Sequence, residues 1–189
     1  MNLNIPYMET DNKLLNDAYR IAAGDIVGNI VYYQNGLLTE EKPCMIAGLD
    51  YNTPWTRDTA INIWNALSIL SPEVSKNTLL AVLEEEEGNI YIGGQYWDSI
   101  IWMIGAREYC RFHKDDNFYR LAFEAGRNSV HRLEEDEFDE EDGLFRGPAV
   151  YGDGIAAYPD KYSKCPNQGS GILEWVDYPG NPVYPKGYG

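Results

Sequence analysis

Tyr51-Asn52-Thr53-Pro54-Trp55-Thr56-Arg57-Asp58 brings an aromatic face, a guanidinium and a carboxylate together just ahead of an expected helix, Thr59 to Leu70. Arg57 offers a planar fork of donors, Asp58 accepts hydrogen bonds and Trp55 offers a flat apolar surface. That combination suits a sugar ring, which carries hydroxyls at its edge and C–H groups on its faces. A local Arg57–Asp58 ion pair capping the helix is the plainer reading. A second cluster, Gln95-Tyr96-Trp97-Asp98-Ser99, opens another expected helix. Asp58-Thr59-Ala60-Ile61 and Asp98-Ser99-Ile100-Ile101 lie 40 residues apart, the span of one αα-hairpin with its loops. Each puts a carboxylate at a helix N-terminus, where the helix dipole favours it, and capping alone would also account for that. Asp153, in Gly152-Asp153-Gly154, is either a turn residue or a proton donor walled by Tyr151, Ile155 and Tyr158.

Five helices would position these groups. The first spans about Asp11 to Val31, with Leu14, Leu15, Ala18, Ile21 and Ala22 on one stripe. The second, Thr59 to Leu70, is polar only at Asn62, Asn65 and Ser68 and is expected to be mostly buried, with Trp64 in the core. The third begins with Ser71 as N-cap and Pro72 at the first position, and ends in Glu84 to Glu87 before Gly88. The fourth holds Ile100 to Ala106 and is apolar all round, with Trp102 and Met103 in the core. The fifth covers about Asp116 to Leu133. One-sided and buried helices alternate, as they do when helical hairpins stack in two layers. The expected fold class is therefore all-α, a partial α/α-hairpin toroid in a single domain over 1–189. Residues 1–142 would form the hairpins. Residues 143–189 carry 9 of the 18 glycines and 6 of the 10 prolines and would be loop-rich, with short strands at Gly143 to Gly147 and Val150 to Gly152.

Composition narrows the function classes. The chain is 44% hydrophobic, enough for a packed core rather than a disordered chain. Its 15 Tyr and 5 Trp suit either an aromatic core or a stacking surface. A net charge of −15 without clustered Lys or Arg excludes nucleic acid as a partner. The acidic run from Glu134 to Asp142 does not fit a calcium loop, since Phe138 stands where the first ligand would sit if Gly143 were the turn glycine. His113 and His131 are 18 residues apart, and Cys44, Cys110 and Cys165 are odd in number and scattered, so no zinc spacing is present. Gly93-Gly94 lacks the Lys and Ser/Thr of a phosphate loop. No cofactor, metal or membrane span is expected, and the reading is a reduced, cytoplasmic protein.

Tyr51 to Ala60 resembles the Trp-x-Arg-Asp signature of the six-hairpin glycosidases, the superfamily of glucoamylases, trehalases and glycogen-debranching-like enzymes. Gln95 to Ser99 resembles the Trp-Asp-Ser element of its trehalase-like members. Gly143-Leu144-Phe145-Arg146-Gly147 through Asp153 to Pro159 resembles the long loop after the fifth helix that carries the general acid. The resemblance implies a twelve-helix toroid that hydrolyses glycosidic bonds with inversion. Under it Arg57 and Asp58 hold hydroxyls, Trp55 walls the sugar beside Tyr51, and Trp97 with Asp98 lines the adjacent rim. Asp153 becomes the general acid, with Glu174 and Asp177 as rivals. An inverting enzyme also needs a second carboxylate roughly 6.5–9.5 Å from the first. The family places that base near the far end of the toroid, so it would be missing from this chain. The chain would then be a poor catalyst by itself, with the missing C-terminal half or a second copy as its partner. The alternative is a non-catalytic helical-hairpin scaffold or carbohydrate-binding domain, which would spread Arg57, Asp58, Asp98 and Asp153 over separate faces. Terpene cyclases and zinc-dependent peptide cyclases share toroid architecture, but the acidic run and the two histidines match them poorly.

Overall fold

A computed structural model describes residues 5–48, 51–94 and 97–148, together with a strand at 186–188. Two compact units divide the chain, Met1–Val130 and His131–Gly189. Among the described residues the protein is mostly helical, with small antiparallel strand pairs. Asp153, Glu174, Asp177, Cys165 and the expected strand at Val150 to Gly152 lie outside the described residues.

In the first unit, α1 (Lys13–Gly28) starts at Asn12, whose side chain accepts from the amides of Leu14 and Leu15. The expected stripe is present in sequence but not in packing: Leu14, Leu15 and Ile21 are exposed, and no residue of α1 is buried. The helix also stops before Val31, because Ile30–Tyr33 forms β1. This β-branched and aromatic run pairs antiparallel with β2 (Lys42–Met45). The loop between them folds over the end of α4 (Pro72–Ala81). Leu37 donates its amide to the Leu80 carbonyl at 3.1 Å, and Asn35 donates through Nδ2 to the Ala81 carbonyl at 3.2 Å. Carbonyls that a helix end leaves unpaired are thereby satisfied. Gly36, at φ 60°, makes the approach possible: a Cβ there would stand 2.6 Å from the Leu80 and Leu83 oxygens.

The second helix begins three residues earlier than expected, as α2 (Thr56–Asn62). It continues through a π-helical turn, Ile63–Leu67, into a last short turn, α3 (Ser68–Leu70). Such a turn holds an extra residue and shifts the phase of the side chains beyond it. Ile63 and Leu67 enter the core, while Trp64 is 53% exposed, against the expectation that it is buried. Ile61 and Ile69 are exposed too, so this helix is two-sided. Ser71 precedes α4 and Pro72 takes its first turn, but Ser71 makes no side-chain capping bond; its carbonyl accepts from Ser75 instead.

The third helix does not reach Glu87. It ends at Ala81, and Leu83–Glu86 forms β3, paired with β4 (Asn89–Ile92) across a tight turn. Glu87 (φ 51°) and Gly88 (φ 80°) supply the two left-handed residues such a turn requires. The strict all-α expectation therefore gives way to helices joined by β-hairpins. Next come α5 (Asp98–Phe112) and α6 (Asp116–Glu137). Trp102 is fully buried and donates through Nε1 to the Leu79 carbonyl at 3.3 Å. Ile100 and Ile104 are exposed, so α5 is not buried all round. The core of this unit gathers Ile63, Leu67, Leu79, Leu83, Trp102 and Phe118.

In the second unit, β5 (Phe138–Asp139) pairs with β6 (Leu144–Pro148), and β6 with β7 (Lys186–Tyr188). The expected strand at Gly143 to Gly147 corresponds to β6. Asp139 uses its carboxylate within the β5–β6 turn, accepting from the amides of Glu141 and Asp142, and Gly143 closes that turn at φ 66°.

Candidate functional site

The starts of α2 and α5 come together, and one close approach explains why. Gly105 of α5 lies against Ala60 of α2; a Cβ on Gly105 would stand only 2.8 Å from the Ala60 Cα and 3.0 Å from its carbonyl oxygen. With no side chain between them, the two backbones pack directly. A second anchor joins α2 to the chain before α5: Thr56 donates through Oγ1 to the Gly93 carbonyl at 2.8 Å.

This arrangement sets Arg57 onto Asp98. Arg57 donates through Nε to Asp98 Oδ1 at 2.9 Å, and its Nη2 stands 2.9 Å from the same oxygen. Asp98 is only 3% exposed, whereas the Arg57 side chain is partly open to solvent. A buried carboxylate requires such a partner. The pair joins residues from the two repeat-related clusters, rather than the neighbours Arg57 and Asp58.

Asp98 also forms part of the wall of a cleft of about 250 Å³. Trp55, Thr56, Glu84, Gly94 and Tyr33 contribute to the same wall. The volume is below the ~300–1,000 Å³ usual for drug-sized ligands and suits a single ring. Trp55 is 44% exposed and is held by Tyr51, whose ring meets it edge-on with centroids 6.0 Å apart. Gly94 (φ 113°) keeps the floor open, since a Cβ there would lie 2.7 Å from Thr56 Oγ1 and 3.0 Å from Asp98 Oδ2.

Among the expected site residues, Trp55 and Asp98 line the cleft. Arg57 reaches it through Asp98, and Tyr51 meets Trp55 edge-on. Asp58 is exposed in the first turn of α2, and Trp97 is half-buried at the start of α5; neither lines the cleft. Asp153 lies outside the described residues.

Sequence reasoning missed Glu84, Tyr33, Asn35 and Thr56 as cleft residues. The signal for Glu84 was available in Leu83 to Ile92: a Gly-Asn turn follows the acidic run, and Ile90-Tyr91-Ile92 alternates as a strand does. Among the described residues, neither Cys44 nor Cys110 is an activated nucleophile. Burial pushes the Cys44 thiol up to about 12, and burial also raises that of Cys110. Among the described residues no group of His, Cys, Asp and Glu could hold a metal, and no helix is long and apolar enough to cross a membrane.

Chemically, the cleft wall carries carboxylate and hydroxyl oxygens that accept hydrogen bonds, together with a half-exposed indole. No protein-family model matches the chain, and no curated protein or solved structure matches it.

Proposed function

We propose that this chain binds a neutral saccharide in the Trp55–Asp98 cleft as part of a glycoside hydrolase acting by an inverting acid/base mechanism. The observation that carries the reading is the union of Arg57 and Asp98, drawn from two clusters about one helical hairpin apart, in the wall of a cleft with an exposed indole. Trp55 provides the stacking surface. Asp98, fixed by Arg57, accepts from sugar hydroxyls, and Thr56 supports the floor. Proton donation to the leaving oxygen is assigned to Asp153, with Glu174 and Asp177 as the competing carboxyls, and the base that activates water is assigned to a part of the toroid beyond this chain.

The helical-hairpin scaffold is the second reading. The exposed Ile61, Trp64, Ile69, Ile100 and Ile104 favour it, since apolar side chains on helices that also contribute to a core suit contact with further helices. The meeting of Arg57 with Asp98 counts against it.

Titrating the 189-residue chain with glucose, maltose and trehalose, followed by tryptophan fluorescence and ligand-observed NMR, tests the proposal. Saturable millimolar binding is expected, weakened at least tenfold by Trp55→Ala. Binding to none of the three saccharides would remove the sugar reading and leave the scaffold. Rapid turnover of an aryl α-glucoside by this chain would contradict the missing base.

A further inference from the structure

The charges in the cleft wall do not balance. Asp98 is matched by the Arg57 guanidinium. Glu84 stands in the same wall and has no cationic partner among the described residues. Its position follows from the fold. Strand β3 alternates its side chains, so Glu84 and Glu85 point to opposite faces. Gly93, across the hairpin, leaves the space that the Glu84 carboxylate occupies: a Cβ on Gly93 would lie 2.5 Å from Glu84 Oε1. The adjacent Gly94 does the same for Asp98, whose Oδ2 would be 3.0 Å from a Cβ there. Two carboxylates thus flank one Gly-Gly floor, and only one of them has its charge matched by an arginine.

We infer that Glu84 sets the charge specificity of the cleft, admitting neutral and amino-bearing sugars and disfavouring sugars that carry a phosphate or carboxylate. The inference rests on the saccharide reading of the same cleft. An unmatched carboxylate accepts hydrogen bonds from hydroxyls and attracts an ammonium, but it repels an anion placed a few ångströms away. At a separation of ~5 Å in a solvent-open site, like-charge repulsion weakens binding by about fivefold to twentyfold. The effect shrinks as salt is added, because the cleft is open to water.

The experiment compares dissociation constants of the full chain for glucose, glucosamine, glucose 6-phosphate and glucuronate at pH 6.5, in low salt and in 0.5 M salt. Both anions are expected to bind about fivefold to twentyfold more weakly than glucose, with the gap narrowing in high salt. Glu84→Gln should bring the anion-to-neutral ratio close to one, and Glu84→Lys should reverse it. Glu85→Gln, which removes the same charge from the opposite face, should leave the ratio as it was. The readout is a ratio within each variant, so a general loss of affinity does not mimic it, and circular dichroism verifies the fold. Anions binding as well as glucose, or an unchanged ratio in Glu84→Gln, would overturn the role of Glu84 while the sugar site stands. Failure of the unaltered chain to bind glucose and glucosamine would overturn the saccharide reading and this inference with it.

Discussion

The first turns of α2 and α5 carry the same short pattern, yet their carboxylates meet opposite fates. Asp58 is exposed; Asp98 is buried and bound to Arg57. The difference lies in phase. Counting from Asp58, α2 buries positions −2, +1 and +2, which are Thr56, Thr59 and Ala60. Counting from Asp98, α5 buries 0, +1, +4, +7, +8, +10 and +11, which include Trp102, Gly105 and Tyr109. At about 100° per residue, Asp58 points roughly 150° away from its helix's buried stripe, while Asp98 lies within about 40° of its own. A repeat in sequence therefore does not imply a repeat in placement. What decides is which side of each helix packs inward, and the Ala60–Gly105 contact fixes that for both.

The harshest way to break this comparison is to disturb the contact that fixes both rotations. Gly105→Ala puts a methyl 2.8 Å from the Ala60 Cα, and neither backbone can yield cheaply. A loss of about 3 kcal/mol is expected from urea unfolding. Gly126→Ala is the control, because its methyl would meet only the flexible Met103 side chain, at 2.6 Å from Sδ. Its cost should stay within about 1 kcal/mol, since the gain in helix propensity offsets the crowding. Equal costs for the two substitutions would show that the α2–α5 approach has no special role.

Next in size is Asp98→Ala. It leaves the Arg57 guanidinium without its carboxylate. Removing one member of a fully buried pair costs about 3–5 kcal/mol, but Arg57 is partly solvated, so about 2 kcal/mol is expected. A double-mutant cycle with Arg57→Ala should return a coupling of about 1 kcal/mol or more. A coupling near zero would mean that the contact contributes nothing to holding the cleft.

These residues also show where sequence reading succeeds and where it stops. A helix opening at Asp98 and holding Ile100 to Ala106, and the burial of Trp102, were legible, because an apolar run after an N-terminal carboxylate has few other solutions. Trp64 was misplaced because a π-helical turn leaves no clear mark in residue type, yet it rotates every later side chain. The sequence places Glu84 in the last turn of the third helix, since the four acids run straight on from its apolar set to Gly88. Only the pairing with Asn89–Ile92 turns it into the wall of a cleft. The meeting of Arg57 with Asp98 rather than with its neighbour Asp58 depends on the Ala60–Gly105 approach, a contact across 45 residues that no local pattern encodes.

A third carboxylate, at the start of α6, sharpens the comparison through pH. Asp115 accepts from the Phe118 amide at 3.0 Å, as an N-cap does, and Lys76 donates to it at 2.6 Å. The Lys76 ammonium, and after it the Phe118 amide, holds its carboxyl below the ordinary value of 3.8. A group whose folded pKa is depressed contributes stability above its unfolded pKa and loses it as pH falls through the folded one. Asp115→Ala should therefore cost about 1 kcal/mol at pH 7, and the gap to the unaltered protein should narrow below the ordinary carboxylate range. A gap that is flat from pH 7 to pH 2 would assign the loss to packing instead.

The smallest effect belongs to Asp58. Its charge lies in the first turn of α2, where the helix dipole is worth about 0.3–1 kcal/mol to an exposed carboxylate, so Asp58→Asn should cost about 0.5 kcal/mol. Its effect on ligand binding is the more telling measurement. Asp58 does not line the cleft, so the affinity for glucose should change by less than about twofold. A tenfold loss would bring Asp58 back to the sugar beside Asp98 and would make the two repeat-related carboxylates functional equals. An unchanged affinity, set against a marked loss in Asp98→Asn, would show that one pattern used twice serves as a helix cap in α2 and as a ligand-facing group in α5. The difference would then trace to the phase of each carboxylate against the buried stripe of its helix.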